Sequence, residues 1–385
     1  MVCGTATVSE VLTYGRDSSR VPARLIQFSK DNRPVTVWNV TGACNLGCIH
    51  CYASATRKPR KGELTTDEAK KFIDDLAEMK VPVLLFSGGE PLVREDIFEL
   101  IRYATDKGLR CSLSTNGTLI TPEIAERLKE SGAVYIGVSI DGLPKTNDRF
   151  RGKKGAFELA LKGIENSREV GLNTGIRFTV TKYNYKEVPA IIDILAEKDI
   201  PRFCLYHLVP SGRASFEDDI TPSQRRELVD FLFNRTIELH DEGYKTEILT
   251  VDNPADGIYV YLKLKEMDED LAESAFKLLE FRGGDNSGRK IADVDMYGNV
   301  HPNQFWWDYT VGNIKEKRFS DMWLEPEDPL LRQLREKTKY LRGEKCGRCM
   351  YKEICGGFRL RAQRAGDLWG DDPDCYLTKK EIGIT

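Results

Sequence analysis

The 385-residue chain has no run of about 18 consecutive apolar residues, so it offers no transmembrane helix. An excess of one charge is missing too. A net charge of -3 gives no footprint for nucleic acid or an anionic membrane surface, and neither partner is expected. Met1 to Glu10 has neither a basic start nor an apolar core, so no secretory signal is read there. Low-complexity segments are absent, as are sequence repeats beyond an alternation of strand and helix patterns. What remains is a globular composition, 41% hydrophobic with a mean hydropathy of -0.42. The length suits one large α/β domain with appendages, or two ordinary domains.

The ten cysteines are unevenly spread. Three sit at 44–51 and four at 346–375, leaving Cys3, Cys111 and Cys204 isolated. Clustered cysteines without a signal peptide read as metal ligands in a reducing compartment, here the cytoplasm, rather than as a disulfide framework. Cys111 and Cys204 fall in strand-like runs and are expected to be small buried hydrophobes.

The stretch Cys44-Asn-Leu-Gly-Cys48-Ile-His-Cys51-Tyr52 follows a strand-like run, Val35 to Val40. A 4Fe–4S cluster takes four thiolates, one per iron. This loop supplies three, and no fourth cysteine lies nearby, so one iron is left open to a small ligand. The alternatives are zinc or structural thiols. Structural zinc usually shows paired Cys-x-x-Cys units, and three clustered cysteines make a poor tetrahedral cage.

Along the chain, residues 1–34 read as an irregular extension. Strand patterns then follow at 35–40, 81–86, 110–114, 134–140, 174–181 and 202–208. Helix patterns alternate with them at 65–79, 95–107, 121–131, 156–171 and 187–198. About six βα units imply a parallel sheet with right-handed crossovers. Ligands of such sheets lie at the C-terminal strand ends. Gly88-Gly89-Glu90-Pro91, Thr115-Asn116-Gly117, Ser139-Ile140-Asp141-Gly142 and Val209-Pro210-Ser211-Gly212-Arg213 all fall at such ends. Two glycines let backbone approach a ligand closely, and a glutamate beside them accepts from an ammonium group. Alone, that string is equally an ordinary strand-to-helix turn. Further helix patterns occupy about 222–243, 257–282 and 327–341. A short run spans Thr246 to Val251, and a hairpin spans 290–302, turning at Tyr297-Gly298-Asn299. Four last cysteines, Cys346-x2-Cys349-x5-Cys355 and Cys375, suit a closed 4Fe–4S site, with zinc as the alternative.

Cys-x-x-x-Cys-x-x-Cys followed by an aromatic, with the Gly-Gly-Glu-Pro string at the expected distance, resembles the signature of radical S-adenosylmethionine (radical SAM) enzymes. The resemblance covers nearly the whole chain from residue 35. It implies a partial (β/α)6 TIM-type barrel over 35–220, bridging helices and a hairpin over 221–340, and a Cys-rich module over 341–385. It also implies that SAM binds the open iron of the Cys44, Cys48 and Cys51 cluster, where an electron releases a 5′-deoxyadenosyl radical. Gly88, Gly89 and Glu90 are then expected at the SAM amino group, Ser139, Asp141, Thr115 and Asn116 at its other polar groups, and Val209, Pro210 and the Tyr52 backbone at adenine. Arg151 is a candidate for the SAM carboxylate, or else a solvated charge of the basic run Arg149 to Lys154. Arg177 is a second candidate.

The C-terminal cysteines resemble the SPASM extension of that family, whose full set holds two auxiliary clusters. Here Arg359 and Asn303 stand where that pattern has cysteines, and no cysteine precedes Gly298. One auxiliary cluster is therefore expected, on Cys346, Cys349, Cys355 and Cys375, either redox-active or a structural clamp. That makes two 4Fe–4S clusters in all.

Strings such as Tyr206-His207-Leu208-Val209-Pro210, Thr250-Val251-Asp252-Asn253-Pro254 and His301-Pro302-Asn303-Gln304-Phe305-Trp306 resemble the tetrapyrrole branch. Within it they are similar to the AhbC family, the 12,18-didecarboxysirohaem deacetylases, and next to the NirJ family. The latter tends to have Cys where this chain has Phe358. This resemblance implies an iron-tetrapyrrole substrate and an electron donor such as ferredoxin or flavodoxin. Arg213 and His207 are the candidate catalytic residues, with His301, Trp306 and Trp307 lining the substrate. Packing for the tryptophans and hairpin hydrogen bonding for His301 are the alternatives. Two other readings are a peptide-modifying SPASM maturase and a non-catalytic Fe–S electron carrier. The 34 residues before the first strand are short for a leader-binding domain, and a carrier's clusters are fully ligated by cysteine.

Overall fold

β-Branched and aliphatic runs of four to eight residues alternate with amphipathic helices, and the computed structural model pairs those runs into one sheet. It describes residues 2–3, 32–244 and 246–384. The strands are β1 (Val2–Cys3), β2 (Val35–Asn39), β3 (Leu84–Ser87), β4 (Cys111–Thr115), β5 (Tyr135–Ser139), β6 (Asn173–Val180), β7 (Arg202–His207), β8 (Glu247–Val251), β9 (Ile291–Val294), β10 (Asn299–His301) and β11 (Gly312–Asn313). Their order is β1-β8-β7-β6-β5-β4-β3-β2-β9-β10-β11. From β8 across to β9 every pairing is parallel. β1, β10 and β11 are antiparallel additions at the two ends.

The six expected strands are present, and two further parallel strands join them. The run at 246–251 becomes β8 beside β7. The first strand of the expected hairpin, β9, pairs with β2, Val35 opposite Ile291. Periodicity within a segment cannot reveal such pairing across some 250 residues. The segment 221–340 thus extends the barrel's own sheet. The strand order has two free ends, so the sheet is open. Most of the expected 1–34 extension, including residues 4–31, lies outside the described residues. Val2–Cys3 pair with Thr250 and Val251.

Alternation along the strands separates two faces. Trp38, Phe86, Leu113, Ile136, Val138, Phe178 and Leu205 pack into the main apolar core beneath the helices. Val37, Leu85, Ser114, Ser139, Arg177, Thr179 and Tyr206 point the other way, into a cavity. Helices start where threonine caps them. Thr65 and Thr221 each form a reciprocal capping box, and Thr121 accepts from the Ile124 N–H. The expected helix at 257–282 is two, Ala255–Met267 and Glu269–Arg282. Asp268 interrupts it because its carboxylate caps the second helix, accepting from the N–H groups of Asp270 and Leu271. Cys111 and Cys204 are buried. Among the described residues no helix is long and apolar enough to cross a membrane.

Candidate cluster and cofactor site

The cavity at the C-terminal ends of the parallel strands measures about 1130 Å³ and opens to solvent. Cys44, Cys48 and Cys51 all line it, and all are free thiols. Three sets of backbone bonds hold their loop. Cys44 N–H donates to Thr56 (2.7 Å) and Thr56 N–H to Gly42 (2.9 Å), closing its base. Gly47 and Ile49 N–H groups donate to Arg151 and Phe150 at the end of the helix Pro144–Arg151. Arg213 N–H donates to the Cys51 carbonyl at 3.1 Å.

Donors also reach the sulfurs. Leu46 N–H points at Cys44 Sγ (3.3 Å), Ala55 N–H at Cys51 Sγ (3.4 Å) and Arg151 Nη1 at Cys48 Sγ (3.6 Å). Burial pushes the Cys44 thiol up to about 12 and raises Cys48 too, despite the Arg151 charge beside it. Thiols so buried become thiolates when a bound metal supplies the countercharge. Three free thiols around one roomy cavity, with N–H donors on the sulfurs, fit an iron–sulfur cluster with one open iron.

Gly88 and Gly89 line the cavity, and their turn also packs against this loop. A Cβ on Gly88 would lie 2.6 Å from the Thr41 carbonyl oxygen, and one on Gly89 would lie 2.1 Å from that of Ala43. Both glycines are required because the turn runs against the cluster loop, where Gly89 and Glu90 N–H groups donate to Thr41 and Ala43, both at 2.8 Å. Glu90 is expected at the SAM amino group, and its carboxyl already has partners within the protein. It is fully buried behind the cavity wall, accepting from Thr115 Oγ1 (2.7 Å), Asn116 N–H (2.8 Å) and Leu92 N–H (3.2 Å). Burial raises its pKa against those three donors. The carboxyl therefore ties the loop after β3 to the loop after β4.

Asp141 is likewise behind the wall. It pairs with Arg151 Nη2, lies 3.0 Å from His50 Nε2, and accepts from Thr179 N–H at 2.7 Å. Burial works against its charge, but Arg151 and His50 outweigh burial and hold its pKa below the usual carboxylate range. Arg151 is buried and lines the cavity, which settles it as part of the site rather than a solvated charge. Thr115, Asn116, Ser139, Arg177 and Val209 also line the cavity, with Asn116 Nδ2 bonded to Asn45 at 2.8 Å.

Both candidate catalytic residues border the cavity, and both are hydrogen-bonded within the protein. Arg213 lines the mouth, but its side chain donates to the carbonyls of Cys48 (2.9 Å) and Ala55 (3.1 Å), clasping the cluster loop. His207 reaches the wall with both ring nitrogens engaged, Nε2 with Asp256 (2.7 Å) and Nδ1 with Arg225 (2.5 Å). An arginine can only donate, so the ring proton sits on Nε2. Burial, then Arg225, lowers the His207 pKa against the pull of Asp256. His207 thus presents a neutral imidazole with both nitrogens hydrogen-bonded.

Trp306 is fully buried in an apolar cluster with Phe358, Leu360 and Trp369, away from the cavity. His301 is a hairpin residue, bonded through Nδ1 to the Tyr309 carbonyl at 2.7 Å. Trp307 stacks on His301 and approaches Tyr52. Sequence reasoning missed His50, inside the cysteine motif itself, and Phe305, whose ring meets Tyr52 edge-on at 5.4 Å. The Tyr52 hydroxyl donates to Asn39 (2.8 Å) and shares a hydrogen bond with Ser87.

The second cysteine group closes on itself. Cys346, Cys349, Cys355 and Cys375 surround one cavity of about 410 Å³ with Ala255, Ile258, Leu377 and Ile382. Tyr351 N–H donates to Cys349 Sγ (3.3 Å), and Asp372 N–H and Arg359 Nη2 donate to Cys346 Sγ (3.4 and 3.7 Å). Free thiols from four positions around one small space fit a fully ligated cluster. Arg359 and Asn303 are buried in hydrogen bonds, Arg359 to the Leu368 and Gly370 carbonyls and Asn303 to Ser287.

Comparison with known proteins agrees with this geometry. Residues 38–195 match the radical SAM superfamily model, and residues 286–350 match SPASM, an iron–sulfur cluster-binding domain. The chain is 48% identical to Fe-coproporphyrin III synthase of Methanosarcina barkeri, over all of this chain and 98% of that protein. It is 40% identical to pre-heme d1 synthase of Dinoroseobacter shibae, over 91% and 88% of the two chains. Its fold resembles that of Streptococcus suis SuiB, solved with its precursor peptide, with a TM-score of 0.73 at 21% identity over 92% of this chain and 79% of that one. The chain therefore belongs to the radical SAM superfamily, as an enzyme that uses S-adenosylmethionine on a 4Fe–4S cluster and carries an auxiliary iron–sulfur cluster in a SPASM extension.

Proposed function

We propose that the chain removes acetate side chains from 12,18-didecarboxysirohaem to give Fe-coproporphyrin III, in the cytoplasm. The observation that carries this reading is the 48% identity, along the full length of both chains, with Fe-coproporphyrin III synthase. Cys44, Cys48 and Cys51 hold the SAM-binding cluster, and Cys346, Cys349, Cys355 and Cys375 hold the auxiliary one. SAM, held at the first cluster, would supply the radical chemistry that starts from the substrate's C–H bond. The chain's own residues bind, orient and shield. Arg151, kept in place by Asp141, takes the SAM carboxylate beside the hydroxyls of Ser139 and Thr115. Val209 flanks adenine, and Phe305 packed on Tyr52 narrows the mouth against water.

The reducing electron comes from a small donor such as ferredoxin or flavodoxin. Residues 35–220 carry the radical chemistry, 221–340 bridge, and 341–385 hold the auxiliary cluster. The identity with pre-heme d1 synthase supports a second reading, loss of propionate in specialised haem synthesis. Anaerobic turnover of the reconstituted protein with SAM, dithionite and 12,18-didecarboxysirohaem separates the two by product mass. Loss of two acetate groups with 5′-deoxyadenosine is the expected result. Propionate loss selects the second reading, and deoxyadenosine with an unchanged tetrapyrrole overturns both.

A further inference from the structure

Cavity-lining cations differ in what occupies them. Arg151 is paired with Asp141 and turned toward Cys48, and Arg213 is spent on two loop carbonyls. His50 faces Asp141, and both nitrogens of His207 are engaged. Arg177 stands apart. It projects from β6 into the same cavity, and among the described residues no hydrogen bond or ion pair meets its guanidinium. The Tyr206 ring lies 4.3 Å from it. The position is built rather than incidental. Its register partner on β5 is Ser139; two residues earlier on that strand stands Gly137, where a Cβ would come within 2.7 Å of Arg177 Cδ, so the neighbouring strand is kept bare for the arginine stem. Its charge reaches the buried Asp252 carboxyl, and a desolvated cation with no carboxylate hydrogen-bonded to it is costly in a folded protein.

We infer that Arg177 is a carboxylate-binding residue for the substrate, engaging one acid side chain of the tetrapyrrole inside the barrel while Arg151 serves SAM. The Tyr206 ring covers one face of the guanidinium by a cation–π contact, which fixes its plane and leaves its edge donors for a bidentate carboxylate. A substrate carrying several carboxylates on a flat ring would thereby be held in one rotation relative to the cluster. This inference rests on the tetrapyrrole reading above.

The test measures binding, not turnover. Reconstituted wild type, Arg177→Gln and Arg177→Lys are titrated anaerobically with 12,18-didecarboxysirohaem, followed by the Soret band, and with SAM by calorimetry. Arg177→Gln should bind the tetrapyrrole about 10- to 100-fold more weakly, as for the loss of a charged hydrogen-bonded pair. SAM affinity and iron content should stay as in wild type. The methyl-esterified tetrapyrrole should bind wild type as poorly as the free acid binds Arg177→Gln, a comparison that stands if that variant does not fold. Arg177→Lys keeps the charge without the fork and should fall between. Loss of SAM affinity with tetrapyrrole affinity intact assigns Arg177 to the SAM carboxylate and overturns the inference. Equal tetrapyrrole binding by wild type and Arg177→Gln, or by acid and ester, overturns this inference alone. A wild type that binds no tetrapyrrole overturns it together with the haem reading.

Discussion

The two cysteine sites use one ligand atom for opposite ends. Around Cys44, Cys48 and Cys51 the walls are polar and cationic, the cavity is about 1130 Å³, and it opens to solvent. Around Cys346, Cys349, Cys355 and Cys375 the walls are largely aliphatic and the void is about 410 Å³. Three thiols leave a coordination position, and the remaining space holds groups suited to an incoming charged cofactor. Four thiols leave none, and aliphatic packing fills the surroundings. The lesson is that room for a cofactor is set twice, once by the count of thiols and once by what the neighbouring residues point at them.

Removing one thiol from each site breaks the comparison most sharply. Cys48→Ala should abolish SAM cleavage and lower iron by about four atoms per chain, leaving the second cluster's absorbance. Cys355→Ala should remove a similar amount of iron yet leave SAM binding measurable by calorimetry. Its larger effect should be on folding, because the 341–385 segment has short helices and leans on metal for its order. Limited proteolysis should cut that segment in Cys355→Ala and spare it in Cys48→Ala. The reverse pattern would mean that the second site is not a structural clamp.

Much of this contrast was legible in the sequence, because both cysteine groups are local and their counts differ. The polar inner face was legible in part, since Ser139 and Arg177 alternate with apolar neighbours along their strands. Glu90 and Asp141 were found by position, but their work was not. Each is completed by atoms from elsewhere, Thr115 and Asn116 at the end of β4 for one, His50 of the cysteine loop and Arg151 of the helix Pro144–Arg151 for the other. The partners of His207 were not legible for the same reason, because Asp256 and Arg225 come from helices the motif does not contain. The pairing of β9 with β2 is a tertiary fact with no local signal.

Asp141 sharpens the comparison from the open site. Asp141→Asn removes a buried charge that holds Arg151 and His50, and an unpaired buried partner typically costs about 3–5 kcal/mol. The variant should unfold at lower denaturant and bind SAM more weakly, while the second cluster's spectrum is unchanged. Its pH dependence has a defined sign. The folded pKa lies below the ordinary value of about 3.9, so the contribution is complete above about pH 4 and is lost as pH falls further. An Asp141→Asn curve parallel to wild type in that window would show that the pair does not titrate as described.

The smallest effect concerns the link between the two sites. His207 on the cavity wall bonds to Asp256, and Asp256 accepts from the Tyr376 hydroxyl at 2.9 Å, one residue beyond Cys375. His207 is held neutral, with its pKa lowered by burial and by Arg225. The unfolded chain takes a proton below about pH 6.5 that the folded chain refuses, so this contribution is full above that pH and declines as pH falls through it. His207→Gln should therefore lose about 1–3 kcal/mol at pH 7.5 through its broken hydrogen bonds. It should also flatten the decline between pH 6.5 and 5, which in wild type is worth at most about 1.4 kcal/mol per pH unit. Chemical denaturation of the reconstituted protein at those pH values measures both. An unchanged slope would mean that the imidazole already carries its proton, and that Asp256 rather than Arg225 governs the pair.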